Sequence, residues 1–152
     1  LDEALAPRVR EHVHRVDVSG AGHVAFVPVG MGNPHAVIVP SIGSPAATPA
    51  ALHALGPALE RHPAFREGVN VHAFAVRSPV ELVMVTWERG SGFTQACGSG
   101  ACATVAAAHA LGLTGPRVTA RVPGGALEID VQPGGVLMTG PAEEVFAGEW
   151  TG

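Results

Sequence analysis

The sequence predicts an α+β fold: a β-rich domain with two helices, one of them enclosed by the sheet. Three observations predict it. Short runs rich in Val recur along the chain, separated by Gly and Pro turns. Ala50 to His62 carries Leu52, Leu55 and Leu59 at helical spacing. Ala101 to Leu113 is built almost wholly of small apolar residues, and a helix without a polar face belongs inside. The 152 residues suffice for one domain with a core, and 47% hydrophobic against 14% charged residues excludes a disordered chain.

The elements follow in order. Arg10 to Val18 and His23 to Val29 flank Ser19-Gly20-Ala21-Gly22 and predict a β-hairpin. Gly30 to Pro34 is a turn, Ala36 to Val39 a short strand, and Pro40 to Pro49 a loop of small residues. The amphipathic helix follows, with Pro49 near its start, where a missing N–H costs nothing. Asn70 to Arg77 and Val80 to Glu88 form a strand pair broken at Ser78-Pro79. The Ala-rich helix starts at Cys97 and ends near Gly112. Arg117 to Val122, Ala126 to Val131 and Val136 to Thr139 are three closing strands.

Composition also excludes functions. Net charge is −4 without a basic block, which argues against nucleic acid as a partner. No apolar run reaches the length of a membrane span. All nine basic residues are Arg, so no lysine can anchor pyridoxal phosphate or form a Schiff base. Two cysteines make no disulfide framework and fit a reducing compartment, hence a cytoplasmic protein. His12 and His14 share one face of a strand, but no Cys or carboxylate completes a metal set there. No signal peptide is visible, and Leu1 to Arg15 has the character of mid-protein sequence; the expectation is that Leu1 is not the start of the gene product.

The chemistry concentrates at Ala96-Cys97-Gly98-Ser99-Gly100-Ala101-Cys102. A cysteine at a helix mouth lies beside the first N–H groups of the helix, which have no partner within it. Such a start binds carboxylate or phosphate and lowers the pKa of a nearby thiol. Cys97 is therefore the candidate reactive thiol, and Cys102, inside the helix, is a buried structural one. Taken singly, Asn33-Pro34 is as readily a plain turn and Glu88-Arg89 a solvated ion pair. His53, His62, His72 and His109 are assigned to core or surface. Gly30-Met31-Gly32 and Gly90-Ser91-Gly92 lack the third glycine of a dinucleotide fingerprint.

Taken together, Met31-Gly32-Asn33-Pro34-His35-Ala36-Val37, Asn70-Val71, Glu88-Arg89-Gly90 and Thr94-Gln95-Ala96-Cys97-Gly98-Ser99-Gly100-Ala101-Cys102 resemble the C-terminal half of diaminopimelate epimerase in order and spacing. Pro123-Gly124-Gly125 and Met138-Thr139-Gly140-Pro141 fit as well, so the resemblance covers nearly the whole chain. It implies one lobe of a two-lobed fold, a β-barrel-like mixed sheet wrapped around a central helix. Residues 1–142 would be the C-terminal catalytic lobe, and 143–152 a tail returning to an N-terminal lobe that this sequence lacks.

The resemblance implies a cofactor-independent bacterial isomerase of lysine biosynthesis that interconverts LL- and meso-diaminopimelate. Cys97 would be one of two acid/base thiols, the second lying on the other lobe. Glu88 would sit near the reacting centre, Arg89 on the distal carboxylate, and Asn33 and Asn70 on the distal amino acid group. Gly98 and Ser99 would hold the carboxylate at the helix start, and His35 would lie near the other lobe's cysteine. The implied partners are the substrate and the missing lobe, with a homodimer allowed, and this chain alone is expected to be inactive. An epimerase or racemase of the proline or hydroxyproline type, or a non-catalytic binding lobe, would share much of this pattern.

Overall fold

The computed structural model describes residues 12–39 and 48–151. Among these, the strands are β1 (His14–Val18), β2 (Gly22–Gly30), β3 (Pro34–Ile38), β4 (Asn70–Ser78), β5 (Glu81–Glu88), β6 (Gly92–Thr94), β7 (Arg117–Val122), β8 (Gly125–Gln132) and β9 (Gly135–Thr139). The helices are α1 (Pro49–Glu60) and α2 (Gly98–Ala110). All nine strands join one sheet in the order β1-β2-β3-β4-β5-β7-β8-β9, with β6 paired to β5 alone. Neighbours are antiparallel except β3–β4 and β5–β7, which are parallel. Those two pairs are the ones bridged by α1 and α2, as parallel neighbours require a crossover.

The sheet has a helix on each face. On β2 to β5, alternate residues enter opposite cores: Phe26, Ala36, Ile38, Val71, Ala73 and Val85 join the α1 side. Val27, Val37, Val39, Phe74 and Met84 join the α2 side. Strands covered on both faces have no polar alternation to show, and this is why Ala36-Val37-Ile38-Val39 is uniformly apolar. Helix α2 packs against β2, β3, β4, β5, β7, β8 and β9. Ala101, Ala103, Val105 and Ala108 are fully buried there. Alanine keeps the helix thin enough for the curled sheet to close on it. The expected α+β fold with an enclosed Ala-rich helix is observed.

Three local features differ from expectation. β3 begins at Pro34, inside the expected turn, because Gly30 and Pro34 are paired across the β2–β3 ladder. The short β6 was not anticipated; it folds back on β5 through Thr86–Thr94, Trp87–Phe93 and Glu88–Gly92. Helix α1 is capped by Thr48, whose Oγ1 accepts from the Ala51 N–H at 3.2 Å. The first residues of the expected Arg10 to Val18 strand and most of the Pro40 to Pro49 loop lie outside the described residues. The Thr48→Ala variant is expected to lose about 1 kcal/mol of unfolding free energy in urea, the usual value of an N-cap; an unchanged midpoint would contradict the cap.

Close approach of α1 to the sheet depends on Gly56. A Cβ there would overlap the Trp87 ring. Trp87 is held in place by its Nε1–H, which donates to Glu60 Oε2 at 2.7 Å. Glu60 Oε1 also accepts from the Gly90 N–H at 2.9 Å, so the end of α1 fixes the turn between β5 and β6. These contacts hold the turn that follows Glu88 at the end of β5.

Candidate active site

The candidate residues gather on the α2 face of β3, β4 and β5. Period-two alternation decides this: His35 shares a face with Val37, and Asn70 and His72 share one with Phe74. Thr86 and Glu88 likewise share a face with Met84. The ladder register then sets His35 beside Asn70 and His72 opposite Thr86.

Cys97 is the N-cap residue of α2, with extended backbone and no capping hydrogen bond from its side chain. The first intrahelical bond runs from the Ala101 N–H to the Cys97 carbonyl at 2.8 Å. The N–H groups of Gly98, Ser99 and Gly100 therefore precede the helical ladder and give the mouth its partial positive charge. The Cys97 thiol is 7% exposed, and its Sγ lies 3.7 Å from Ser99 Oγ. Met138 of β9 reaches over Gly98, which narrows the mouth from the other side.

The expectation that the helix start lowers the thiol pKa is corrected by the structure. Burial pushes the Cys97 thiol above its ordinary value, and the Glu88 carboxylate beside it pushes the same way. The Gly100 N–H and the Ser99 hydroxyl pull it down, but burial is the larger effect. Cys97 is thus a protonated thiol near neutral pH. Alkylation of Cys97 by iodoacetamide, in a Cys102→Ala background, is expected to be slow at pH 7 relative to an exposed cysteine. Its rate should rise with pH to a midpoint above that of an ordinary thiol, and fast labelling at neutral pH would contradict the burial argument. Cys102 is partly buried, and its pKa is raised by burial too.

Glu88 is half-buried, and its charge acts on both His35 and Cys97, so the three form one cluster. His35 is 1% exposed. Burial lowers its pKa and Glu88 opposes this. Its Nε2 lies 2.8 Å from Asn33 Oδ1 and its Nδ1 lies 2.8 Å from His72 Nε2.

Asn70 spends both ends of its amide on backbone: Nδ2–H donates to the Pro34 carbonyl at 3.1 Å, and Oδ1 accepts from the Arg89 N–H at 3.0 Å. It ties the start of β3 to the Arg89 turn, leaving one N–H and one lone pair for a ligand. Arg89 is exposed, with one guanidinium N–H given to the Glu67 carbonyl at 2.7 Å. Asn33, His35, Asn70, Glu88, Cys97, Gly98 and Ser99 thus lie around one face, with Arg89 at its edge.

The sequence alone assigns His72 to core or surface and does not mark Thr86. His72 is fully buried and bonded on both ring nitrogens, to His35 and, at 3.0 Å, to Thr86 Oγ1. Burial and the neighbouring His35 lower its pKa to about 3, so it is neutral at physiological pH. The available signal was its position, in phase with Asn70 and Phe74 and flanked by Val71 and Ala73.

Among the described residues no group of three or more His, Cys, Asp or Glu side chains is placed to hold a metal, and no helix is long and apolar enough to cross a membrane. Residues 140–151 form no regular element and are exposed, Val145, Phe146 and Trp150 at 89%, 83% and 94%.

A mixed sheet closed on a central helix defines the fold class. Solved structures share it: a hydroxyproline epimerase from Agrobacterium vitis with bound trans-4-OH-L-proline matches 79% of this chain and 41% of its own, with a TM-score of 0.57 and 20% identity. A probable proline racemase from Agrobacterium radiobacter with bound carbonate matches 83% and 45%, with a TM-score of 0.55 and 20% identity. At that identity the likeness establishes the fold.

Sequence narrows the class to a family. The diaminopimelate epimerase family model matches residues 26–145. The diaminopimelate epimerase of Cyanothece sp. is 49% identical over 79% of this chain and 42% of its own length. That of Desulforudis audaxviator is 46% identical over 88% and 48%, and that of Ectopseudomonas mendocina 44% identical over 98% and 54%. The chain belongs to the diaminopimelate epimerase family, and spans about half the length of these relatives.

Proposed function

We propose that this chain is the C-terminal lobe of a cytoplasmic, pyridoxal-independent epimerase that interconverts LL- and meso-diaminopimelate. The observation that carries the reading is Cys97 at the mouth of α2, beside the Glu88 carboxylate and the N–H groups that precede the helical ladder. Epimerisation removes a weakly acidic α-proton from one face and returns a proton to the other. Cys97 and a second cysteine on the N-terminal lobe serve the two faces, one as thiolate base and the other as thiol acid, and exchange roles with direction.

Each residue has a task in this scheme. The N–H groups of Gly98 and Ser99 hold the reacting carboxylate, where negative charge grows as the α-carbon loses its proton. Glu88 takes the substrate ammonium, whose positive charge beside Cys97 offsets burial and favours the thiolate when that form is required. Arg89 binds the distal carboxylate at the open edge of the site, with a geometry suited to paired hydrogen bonds. Asn33 and the remaining valences of Asn70 meet the distal amino acid group. His35 supports the cysteine of the other lobe, and the tail from residue 143 returns to that lobe. Its exposed Val145, Phe146 and Trp150 are the apolar surface such a contact would cover.

A substrate panel tests the reading. The full-length protein should epimerise diaminopimelate and leave proline and trans-4-hydroxyproline unchanged. Turnover of the cyclic amino acids with none of diaminopimelate would replace it with the racemase alternative. Binding of diaminopimelate without turnover would replace it with the binding lobe.

A further inference from the structure

A buried row of hydrogen bonds crosses three strands beneath the site. It runs from Thr86 Oγ1 to His72 Nδ1 at 3.0 Å, from His72 Nε2 to His35 Nδ1 at 2.8 Å, and from His35 Nε2 to Asn33 Oδ1 at 2.8 Å. The amide oxygen of Asn33 fixes the polarity of the whole row. It accepts only, so His35 Nε2 must carry the hydrogen. Neutral His35 then has its lone pair on Nδ1, which obliges His72 Nε2 to be the donor. His72 Nδ1 is left as the acceptor of the Thr86 hydroxyl. Every bond in the row has one donor and one acceptor.

We propose that His72 is a positioning residue that couples the His35 tautomer to the facing of the Asn33 amide, so that with His35 Nε2 protonated the Asn33 oxygen turns inward and its NH₂ is offered to the ligand. The inference rests on the function proposed above for what the locked pair does, though not for the lock itself. His72 does not act as an acid or base: it is sealed between β5 and the first turn of α2, with Gly100 directly against its ring. Its contribution is direction. Without a donor at His72, His35 Nδ1 could take the hydrogen instead, His35 Nε2 would become an acceptor, and the Asn33 amide would reverse. A reversed amide presents an oxygen to the ligand in place of an N–H donor.

The test is the ring ¹⁵N spectrum of ¹⁵N-histidine-labelled full-length protein, read with kcat and KM. Wild type should show protonated Nε2 and unprotonated Nδ1 on both His35 and His72. Glutamine can donate from the same place, so His72→Gln should keep the His35 tautomer and most of kcat. His72→Leu should lose the single His35 tautomer and raise KM for diaminopimelate more than it lowers kcat, since the reversed Asn33 amide no longer donates to the ligand. Thr86→Val, a near-isosteric change, should leave the fold intact and release the His72 tautomer, so the row remains testable if His72→Leu does not fold. A wild-type His35 protonated at Nδ1 would overturn the inference, as would an unchanged His35 tautomer in folded His72→Leu. Tautomers as stated in a protein that turns over no diaminopimelate would uphold the lock and defeat the proposed function instead.

Discussion

Replacing Cys97 with alanine in the full-length protein is expected to lower epimerisation about 10³-fold or more while leaving the fold intact. The side chain lost is small, and its contacts are few: the Ser99 hydroxyl at 3.7 Å, and the Gly100 N–H and Glu88 around it. What disappears is the one ionisable sulfur at the helix mouth, and with it, on the proposed mechanism, proton transfer on one face of the α-carbon. A positioned acid or base contributes about 10²–10⁴-fold; neither Ser99 nor Glu88 can stand in, the hydroxyl being too weak an acid and Glu88 having the substrate ammonium as its partner in the proposed mechanism. Cys97→Ser should fall nearly as far for the same reason. The Cys102→Ala protein should stay within a few-fold of wild type, since Cys102 lies further along the helix. Near-normal turnover by Cys97→Ala with normal thermal unfolding would remove Cys97 from the mechanism.

The Gly100→Ala variant is expected to lose about 3 kcal/mol of stability, at the upper end of what overpacking a closed core costs. A methyl at Gly100 would overlap His72 Cε1 and come within 2.9 Å of Nδ1 and 3.0 Å of Nε2. The ring cannot withdraw, because both nitrogens are bonded, one to His35 and one to Thr86. The backbone at 100 cannot withdraw either, because the Gly100 carbonyl accepts the Thr104 hydroxyl at 2.8 Å. Relief must come by shifting the first turn of α2, which moves the N–H groups at the mouth. The variant should therefore lose activity beyond what its unfolded fraction explains. Wild-type stability for Gly100→Ala would show that the ring has room to move.

The sequence made the site's parts visible more readily than their connections. Cys97-Gly98-Ser99-Gly100 ahead of an Ala-rich run marked the helix mouth, because glycine, a small hydroxyl and alanine suit a buried helix start. The strands were visible wherever Val and turn residues alternated, as in Arg117 to Thr139. Sheet order was not, because the β3–β4 and β5–β7 pairings join residues far apart in sequence. The short β6 follows from its ladder with β5 rather than from its own three residues. The His35–His72–Thr86 row is also a product of register: three strands must align before any of its bonds exists. The pKa of Cys97 shows a different limit. Helix polarity is legible in a sequence, but burial depends on what packs over the thiol, here strong enough to reverse the direction.

The most direct measurement is α-proton exchange of LL-diaminopimelate in D₂O, followed by NMR, with this chain alone and with the N-terminal lobe restored. The two-thiol account predicts exchange with inversion only when both lobes are present, since in it Cys97 serves one face of the α-carbon and a second cysteine the other. Exchange and inversion by this chain alone would contradict it. So would the absence of exchange with both lobes folded and together.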